Sequence, residues 1–318
     1  MTSVASPKRT IAARPSANLP FWLRRKTRPV PLVRPTPREL RWWVGVVWLL
    51  LSVMLLGFVG HVALFGILQH ARIQAVGYQE LRQSLAAATT PTGQLDVNEN
   101  QVVPGTPVAL LSINRIHLSE VVRQGSSSDI TRLGVGHRRD TVMPGQAGTS
   151  ILCGRQASYG GPFGGLSALV PGDTITVTTG QDTFTFTVFG IRRPGDLQPQ
   201  ALTPGTGRLE LVTADGPPLA AASVVYVDAS LKGKPADAPR SVMATKALDP
   251  SELVMAADSS ALLPFLFTLQ WLAIAAIVAR WLLTRWGRWQ TWIVATPALL
   301  ALATATADNA IALLPNLI

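Results

Sequence analysis

The chain has 318 residues, of which 47% are hydrophobic and only 14% are charged, a composition that indicates membrane-spanning segments rather than a wholly soluble protein. The formal net charge of +10 does not indicate nucleic-acid binding, because it is concentrated at one end. Residues 1–41 carry ten basic side chains and one acidic one, whereas residues 42–279 carry fifteen basic and sixteen acidic ones. A basic tail beside a membrane helix sets orientation and attracts anionic lipid. We therefore expect the lipid bilayer as a partner, and no nucleic acid.

The N-terminal part predicts a cytoplasmic basic tail over residues 1–43, followed by a first transmembrane helix over residues 44–68. That apolar stretch is interrupted only by Ser52 and His61 and is long enough to cross a bilayer with some tilt. A cleaved signal peptide would have a shorter apolar core and a small-residue cleavage site. We therefore interpret the stretch as an uncleaved anchor with a cytoplasmic N-terminus.

Two further spans are predicted near the other end of the chain, over residues 261–283 and 292–314. The short loop between them, residues 284–291, carries Arg285 and Arg288 and is flanked by tryptophans, a pattern typical of the cytoplasmic membrane interface. This loop is therefore predicted to be cytoplasmic. The prediction is a multi-pass cell-membrane protein with everything between the first and second spans outside the cytoplasm.

The third span contains the polar pair Asp308 and Asn309. An ionisable group within a span is a candidate functional residue. The alternative is that the pair lies near the outer surface and only hydrogen-bonds a neighbouring helix.

Between the first and second spans the sequence predicts one strand-rich domain. Residues 69–106 are interpreted as a stalk and linker, residues 107–230 as the domain, and residues 231–260 as a second linker with a short helix beginning at Asp249-Pro-Ser-Glu252. Seven short segments, rich in β-branched residues and bounded by Gly, Pro or Asp, are predicted strands: Pro107–Ile113, Glu120–Arg123, Thr149–Gly154, Thr174–Thr179, Thr183–Gly190, Leu209–Thr213 and Ser223–Ala229. About eight short strands with little helix indicate a closed barrel or a sandwich.

Cofactor and metal motifs are not found in the sequence. The four histidines show no ligand spacing, and no glycine-rich phosphate loop precedes a helix, so we expect no metal and no cofactor. The single cysteine, Cys153, excludes an internal disulfide; it is either a buried apolar group or a nucleophile.

Several motifs in order carry a resemblance to a known family. They are Gly134-Val-Gly-His-Arg-Arg-Asp-Thr-Val-Met-Pro-Gly-Gln-Ala-Gly-Thr-Ser-Ile-Leu-Cys-Gly-Arg155, then Tyr159-Gly-Gly-Pro-Phe163 with Pro171-Gly-Asp173, then Leu209-Glu-Leu-Val-Thr213. Over residues 105–230 the chain resembles the sortases, membrane-tethered transpeptidases of Gram-positive bacteria, and most closely their actinobacterial, class E-like members. The resemblance implies a mainly β fold: a closed eight-stranded barrel, here combined with three transmembrane α-helices.

The positions that the resemblance assigns to catalysis do not match. A sortase uses a cysteine nucleophile, a histidine acid/base and an arginine that stabilises the oxyanion or orients the substrate. Here the histidine position is Arg155, the cysteine position is Ala214, and the arginine position is Ser223 or Val224. Because an alanine has no nucleophile and an arginine stays protonated at neutral pH, the resemblance implies a catalytically degenerate member, or pseudosortase.

Three functional hypotheses follow. In the first, the domain is a binding or scaffolding subunit at the cell envelope that holds a peptide or protein partner in a groove beside Arg155, Thr213, Ala214 and Asp215. There Arg155 either attracts a carboxylate-bearing ligand or pairs with a neighbouring Asp or Glu. In the second, Cys153 replaces the lost nucleophile near His137 in an active transpeptidase. In the third, the function resides in a complex assembled through the membrane helices.

Overall fold

The computed structural model describes residues 40–60, 66–243 and 247–318. The predicted basic tail up to residue 39, and His61 in the first predicted span, lie outside these residues. The contacts divide the chain after Ser52, and residues Val53–Ile318 make up one compact unit.

The centre of this unit is a closed eight-stranded β-barrel, which confirms the predicted fold class. Its strands follow the order β1-β2-β3-β4-β7-β8-β6-β5 around the barrel, and the pairs β2/β3 and β4/β7 are parallel while the others are antiparallel. The strands are β1 Pro107–Ile113, β2 Leu118–Gln124, β3 Val135–His137, β4 Gly148–Cys153, β5 Thr174–Thr179, β6 Thr183–Arg192, β7 Gly207–Asp215 and β8 Ser223–Leu231. Six of them contain the segments predicted from the sequence, and β4 overlaps the seventh, which was predicted to extend one residue further, to Gly154. Strand β3 was not predicted, because three residues are too few to show alternation.

The barrel closes through the pairing of β1 with β5, and the residues of each strand alternate between the interior and the outer face. In β1, Leu111 and Ile113 are buried in the interior, and Leu209 and Leu211 of β7 join them there. Phe163, which belongs to the loop after β4, also lies in this core. Full closure leaves no exposed sheet edge, so the barrel is a self-contained scaffold for groups on its outer face.

Two helices precede the barrel, α1 Leu40–Gly60 and α2 Gly66–Ala86. Helix α2 occupies part of the segment interpreted as a stalk, and it packs against β1 and β2. His70 Nε2 lies 2.8 Å from Glu120 Oε1, and Gln74 accepts a 2.8 Å hydrogen bond from the amide of Val121. The segment is therefore docked on the barrel over these contacts.

A short helix, α3 Ser128–Thr131, lies between β2 and β3, and a helical pair, α4 Leu262–Arg285 and α5 Arg288–Ala312, follows the barrel. Within the described residues, two helices are long and apolar enough to cross a membrane, Ser259–Arg285 and Arg288–Ala312, and they coincide with the second and third predicted spans. The first predicted span remains a prediction: α1 covers part of it, and residues 61–65 lie outside the described part of the chain.

The linker after the barrel contains the predicted start of a short helix, which the structure has as a 3-10 turn, Pro250–Glu252. The side chain of Asp249 accepts a hydrogen bond from the amide of Ser251, as an N-cap does. Glu252 is buried and receives two hydrogen bonds from Arg139, so this turn is fixed to the barrel.

Candidate functional site

The three positions where the sortase resemblance expects catalytic groups lie close to one another in the fold. Arg155 follows the end of β4, Ala214 is the next-to-last residue of β7, and β8 begins with Ser223. In the β7/β8 ladder, Ala214 is paired with Val224, and Ser223 with Asp215. Because residues directly opposite in a ladder share a face, Val224 is the residue beside Ala214.

These positions belong to an apolar cluster on the outer face of the barrel. Leu152 of β4 and Leu211 of β7 point into the interior, so their neighbours Cys153 and Val212 point outward. The outer-face cluster contains Cys153, Val212, Ala214, Ala221, Val224, Leu317 and Ile318. Leu317 and Ile318 follow α5 and lie in the place where the sequence analysis expected an open groove. The outer face at Ala214 is therefore covered by the chain itself.

Arg155 is fully buried, and its guanidinium is bonded to hydroxyl and main-chain oxygens. Nη1 donates to Ser158 Oγ at 3.0 Å and to the main-chain oxygen of Ile318 at 3.2 Å. Nη2 donates to Ser128 Oγ at 2.8 Å and to the Ser128 carbonyl oxygen at 3.1 Å. The sequence leaves open an Asp or Glu partner for Arg155, whereas these four hydrogen bonds end on hydroxyl and main-chain oxygens. The guanidinium also lies 5.2 Å from the ring centroid of Tyr159.

Burial lowers the pKa of Arg155 to about 10, since the interior disfavours the charged form. At neutral pH the side chain is still a cation, so it cannot exchange protons as a general acid or base does. A buried cation is tolerated more readily when its donors are satisfied, and Ser128, Ser158 and Ile318 satisfy the two terminal nitrogens, while the buried Nε has no hydrogen-bond partner in the structure. Arg155 is thus arranged to hold oxygens in place.

The other two polar groups proposed for the groove also have partners. The hydroxyl of Thr213 donates a 2.8 Å hydrogen bond to the carbonyl oxygen of Gly154, and Asp215 accepts one of 2.6 Å from Arg193 Nε. The first bond ties β7 to the end of β4, and the second ties β7 to the end of β6. Both groups stabilise the strand ends beside the site.

Cys153 is buried in the outer-face cluster. Burial raises the pKa of its thiol to about 12, so the thiolate that attacks carbonyls is scarce at neutral pH. His137 is not its partner in the β3/β4 ladder: Cys153 is paired with Gly136, and His137 with Leu152. Because successive residues of a strand point to opposite faces, the two side chains diverge. This geometry offers no Cys–His pair for the transpeptidase hypothesis.

Both ring nitrogens of His137 lie within hydrogen-bond distance of oxygens of neighbouring residues. Nδ1 lies 2.9 Å from Gln124 Oε1, and Nε2 lies 2.9 Å from the carbonyl oxygen of Val142. Burial lowers the pKa of the imidazole to about 4, so the ring is neutral at physiological pH. The histidine joins β2 and β3 to the loop that precedes β4.

The polar pair of the third span divides between two partners. The hydroxyl of Tyr159, in the loop after β4, donates a 3.1 Å hydrogen bond to Asp308. Asn309 donates to Thr268 in α4 at 3.4 Å. Asp308 therefore binds the barrel, which the sequence analysis did not foresee, while Asn309 links two helices in the manner of the second alternative.

Sequence reasoning also missed Asn316, Leu317 and Ile318. Pro315 does indicate the end of a helix, and two apolar residues after it are a weak sign that the chain returns to an apolar surface. The surface that they contact is assembled from three strands far apart in sequence, which local patterns cannot show. Among the described residues, no three His, Cys, Asp or Glu side chains are grouped as a metal site would require.

Comparisons with known proteins agree with this architecture. Residues 111–232, from the middle of β1 to just beyond β8, match the family model of the sortase domain. The chain therefore carries a sortase domain, and that domain is its β-barrel. No curated protein matches the sequence significantly.

Several solved sortases are similar in structure. A Clostridium perfringens sortase D5 transpeptidase is 21% identical, with a TM-score of 0.43, covering 51% of this chain and 99% of its own. Streptomyces coelicolor sortase E1, solved with a tripeptide in the active site, is 28% identical, with a TM-score of 0.37, covering 42% and 92%. Actinomyces oris sortase C-1 is 24% identical, with a TM-score of 0.37, covering 49% and 98%.

Proposed function

We propose that this protein is a pseudosortase: a membrane-anchored, sortase-fold subunit of the cell envelope that binds or scaffolds a peptide or protein partner without transpeptidation. The observation that carries the proposal is the outer-face cluster. The position that resembles the sortase nucleophile holds Ala214, and Val224, one of the two residues (Ser223 or Val224) at the position that resembles the arginine, belongs with it to the cluster that contains Leu317 and Ile318.

The position of the general acid/base supports the same proposal. Arg155 is a permanent cation at neutral pH, and four hydrogen bonds hold its guanidinium. Such a group stabilises oxygens and does not shuttle protons. The chemistry that remains at this site is recognition of main-chain and hydroxyl oxygens.

The proposed topology is multi-pass, with a cytoplasmic N-terminus and the barrel outside the cytoplasm. It rests on the first predicted span, on the two apolar helices after the barrel and on the arginines at the turn between them. Through α4 and α5 the barrel would be joined to a complex assembled in the membrane. The membrane helices would then attach the scaffold to that complex.

The test is transpeptidation by the purified full-length chain in mild detergent. A fluorescent sorting-signal peptide and an amine acceptor are incubated with the protein, and both cleavage and joining are followed by mass spectrometry. We expect neither product and no thioacyl adduct. Product formation that disappears in Cys153→Ala would contradict the proposal and favour the transpeptidase hypothesis.

A second measurement addresses the scaffold itself. The tagged chain is purified from its own membranes in mild detergent, and the stoichiometry of any co-purified protein is determined. A partner in constant stoichiometry that is lost when the barrel face is altered, for example in Arg155→Ala, supports a scaffold. A chain that purifies only as a monomer contradicts it.

A further inference from the structure

Residues 314–318, here called the return segment, run back from α5 onto the outer face of the barrel. Pro315 forms a bridge with Ala257, and the amide of Asn316 donates a 2.9 Å hydrogen bond to the carbonyl oxygen of Ala256. The amide of Ile318 donates to the carbonyl oxygen of Pro315 at 3.0 Å, which closes a turn. The side chains of Asn316, Leu317 and Ile318 are all buried.

The main chain of the return segment is bound at three successive residues. The oxygen of Asn316 accepts from Thr131 Oγ1 at 2.7 Å, and the oxygen of Leu317 accepts from the amide of Gln156 at 2.9 Å. The oxygen of Ile318 accepts from both Arg155 Nη1 and Ser158 Oγ. Donors aligned along three consecutive carbonyl positions are the arrangement by which proteins hold peptides.

One side chain of the return segment adds specificity. Asn316 Nδ2 donates to the carbonyl oxygens of Ser126, at 2.8 Å, and Leu253, at 2.9 Å. An apolar residue at this position would leave two buried carbonyl oxygens without these bonds, at a free-energy cost. The site therefore distinguishes asparagine from a residue of similar size without an amide.

The two apolar residues of the return segment complete the outer-face cluster. Leu317 and Ile318 are buried in the same cluster as Ala214 and Val224. A charged residue at position 224 would be buried among the apolar side chains of this cluster, none of which could pair with it. The small apolar side chains of Ala214 and Val224 are thus complementary to the apolar side chains of the return segment.

The same loop of the barrel also contacts α5. Gln156 and Ser158 bind the return segment, and Tyr159, next along the chain, donates its hydrogen bond to Asp308. The same loop after β4 therefore binds both the return segment and helix α5.

We infer that the return segment is an intramolecular ligand of the sortase-fold groove, and that it latches α5 to the barrel. The inference rests on the proposed function, because a peptide held there by a non-catalytic site is not cleaved. A partner that reaches the groove has to displace the return segment, and this displacement releases one attachment of the helix pair. The groove would accept a partner segment with the same features: a carboxamide followed by two aliphatic side chains.

The reactivity of the single cysteine reports whether the return segment is bound, since Cys153 is buried in the same cluster as Leu317 and Ile318. The full-length protein in mild detergent is labelled with a maleimide, and the labelling rate is measured for the unaltered chain, Leu317→Ser and Leu197→Ser. Leu197 is 95% exposed in a loop and provides the matched control. We expect at least about tenfold faster labelling in Leu317→Ser alone, because the opening that exposes the thiol becomes easier.

In a second experiment the return segment is added as a separate peptide. A chain that ends after Leu313 is labelled with and without a synthetic peptide of residues 311–318. We expect the peptide to restore protection of Cys153, and expect the same peptide with alanine at the position of Asn316 to be much weaker. Near-ultraviolet circular dichroism reports whether the barrel is intact, and Leu317→Ala replaces Leu317→Ser if the latter loses its signal.

The inference is overturned if labelling of an intact barrel stays at the rate of the unaltered chain in the Leu317 variants, or if the peptide gives the truncated chain no protection. These outcomes are independent of transpeptidation. Turnover of a sorting-signal peptide would refute the proposed function and leave the protection data unchanged, whereas an unprotected thiol without turnover would refute only the latch.

Discussion

The hydroxyl of Tyr159 lies 3.1 Å from a carboxylate oxygen of Asp308 and donates a hydrogen bond to it. Tyr159 belongs to the barrel and Asp308 to α5, so this bond joins the sortase domain to a candidate membrane span. Burial and the nearby carboxylate raise the pKa of the phenol, which keeps it a donor over the whole physiological range.

We expect Tyr159→Phe to destabilise the protein by about 1.5–3 kcal/mol, the range for a hydrogen bond to a charged group. Thermal unfolding in detergent measures the loss, and Tyr78→Phe, which alters a half-exposed tyrosine of α2, is the control. A double-mutant cycle with Asp308→Ala isolates the pair. A coupling energy near zero would mean that this bond does not hold the helix to the barrel.

Arg155 supports the second prediction. Arg155→Met removes four hydrogen bonds and leaves buried oxygens of Ser128 and Ile318 without these donors. We expect a loss of about 2–4 kcal/mol in the free energy of unfolding. Arg115→Met is the matched control, because the ion pair of Arg115 with Asp173 is half-exposed and is worth less than about 1 kcal/mol. Equal effects of the two substitutions would contradict a structural role for Arg155.

The third prediction concerns pH. The pKa of His137 is lowered from 6.5 to about 4, so in this range the unfolded chain binds a proton that the folded chain does not. Stability contributed by the neutral ring is fully present above pH 6.5 and is lost as the pH falls towards 4, by up to about 3 kcal/mol.

Chemical denaturation at pH 7 and pH 4.5 measures this loss. We expect His137→Gln to flatten the pH dependence and the exposed His117→Gln to leave it unchanged. A pH dependence that is identical in the two variants would assign the acid sensitivity to other groups.

The fourth prediction places a thiol at position 214, which the resemblance assigns to the sortase nucleophile. In a Cys153→Ala background, Ala214→Cys places the new thiol in the outer-face cluster, where burial raises the pKa of a thiol. We expect maleimide labelling at neutral pH to be slow in this variant and fast when residues 314–318 are also removed. Rapid labelling with these residues present would show that the site is open.

The sequence by itself determined the class of fold and the residue types at the positions that the resemblance assigns to catalysis. Short β-branched segments separated by Gly, Pro and Asp are enough to predict seven strands, and the ordered motifs from Gly134 to Thr213 are enough to predict the family of the barrel. The residue types at positions 155 and 214, an arginine and an alanine, are also read directly from the sequence.

Only the tertiary structure decided which partners and surroundings these residues have. Arg155, Ala214 and Ile318 are separated by up to 163 residues and meet only because β4, β7 and β8 are neighbours in the closed barrel. Burial, hydrogen-bond partners and pKa values depend on that packing. They make Arg155 a buried hydrogen-bond donor and bury the thiol of Cys153. The return segment, apart from Leu314, lies beyond the third predicted span and carried no prediction, and only the packing shows that Leu317 and Ile318 are buried on the barrel.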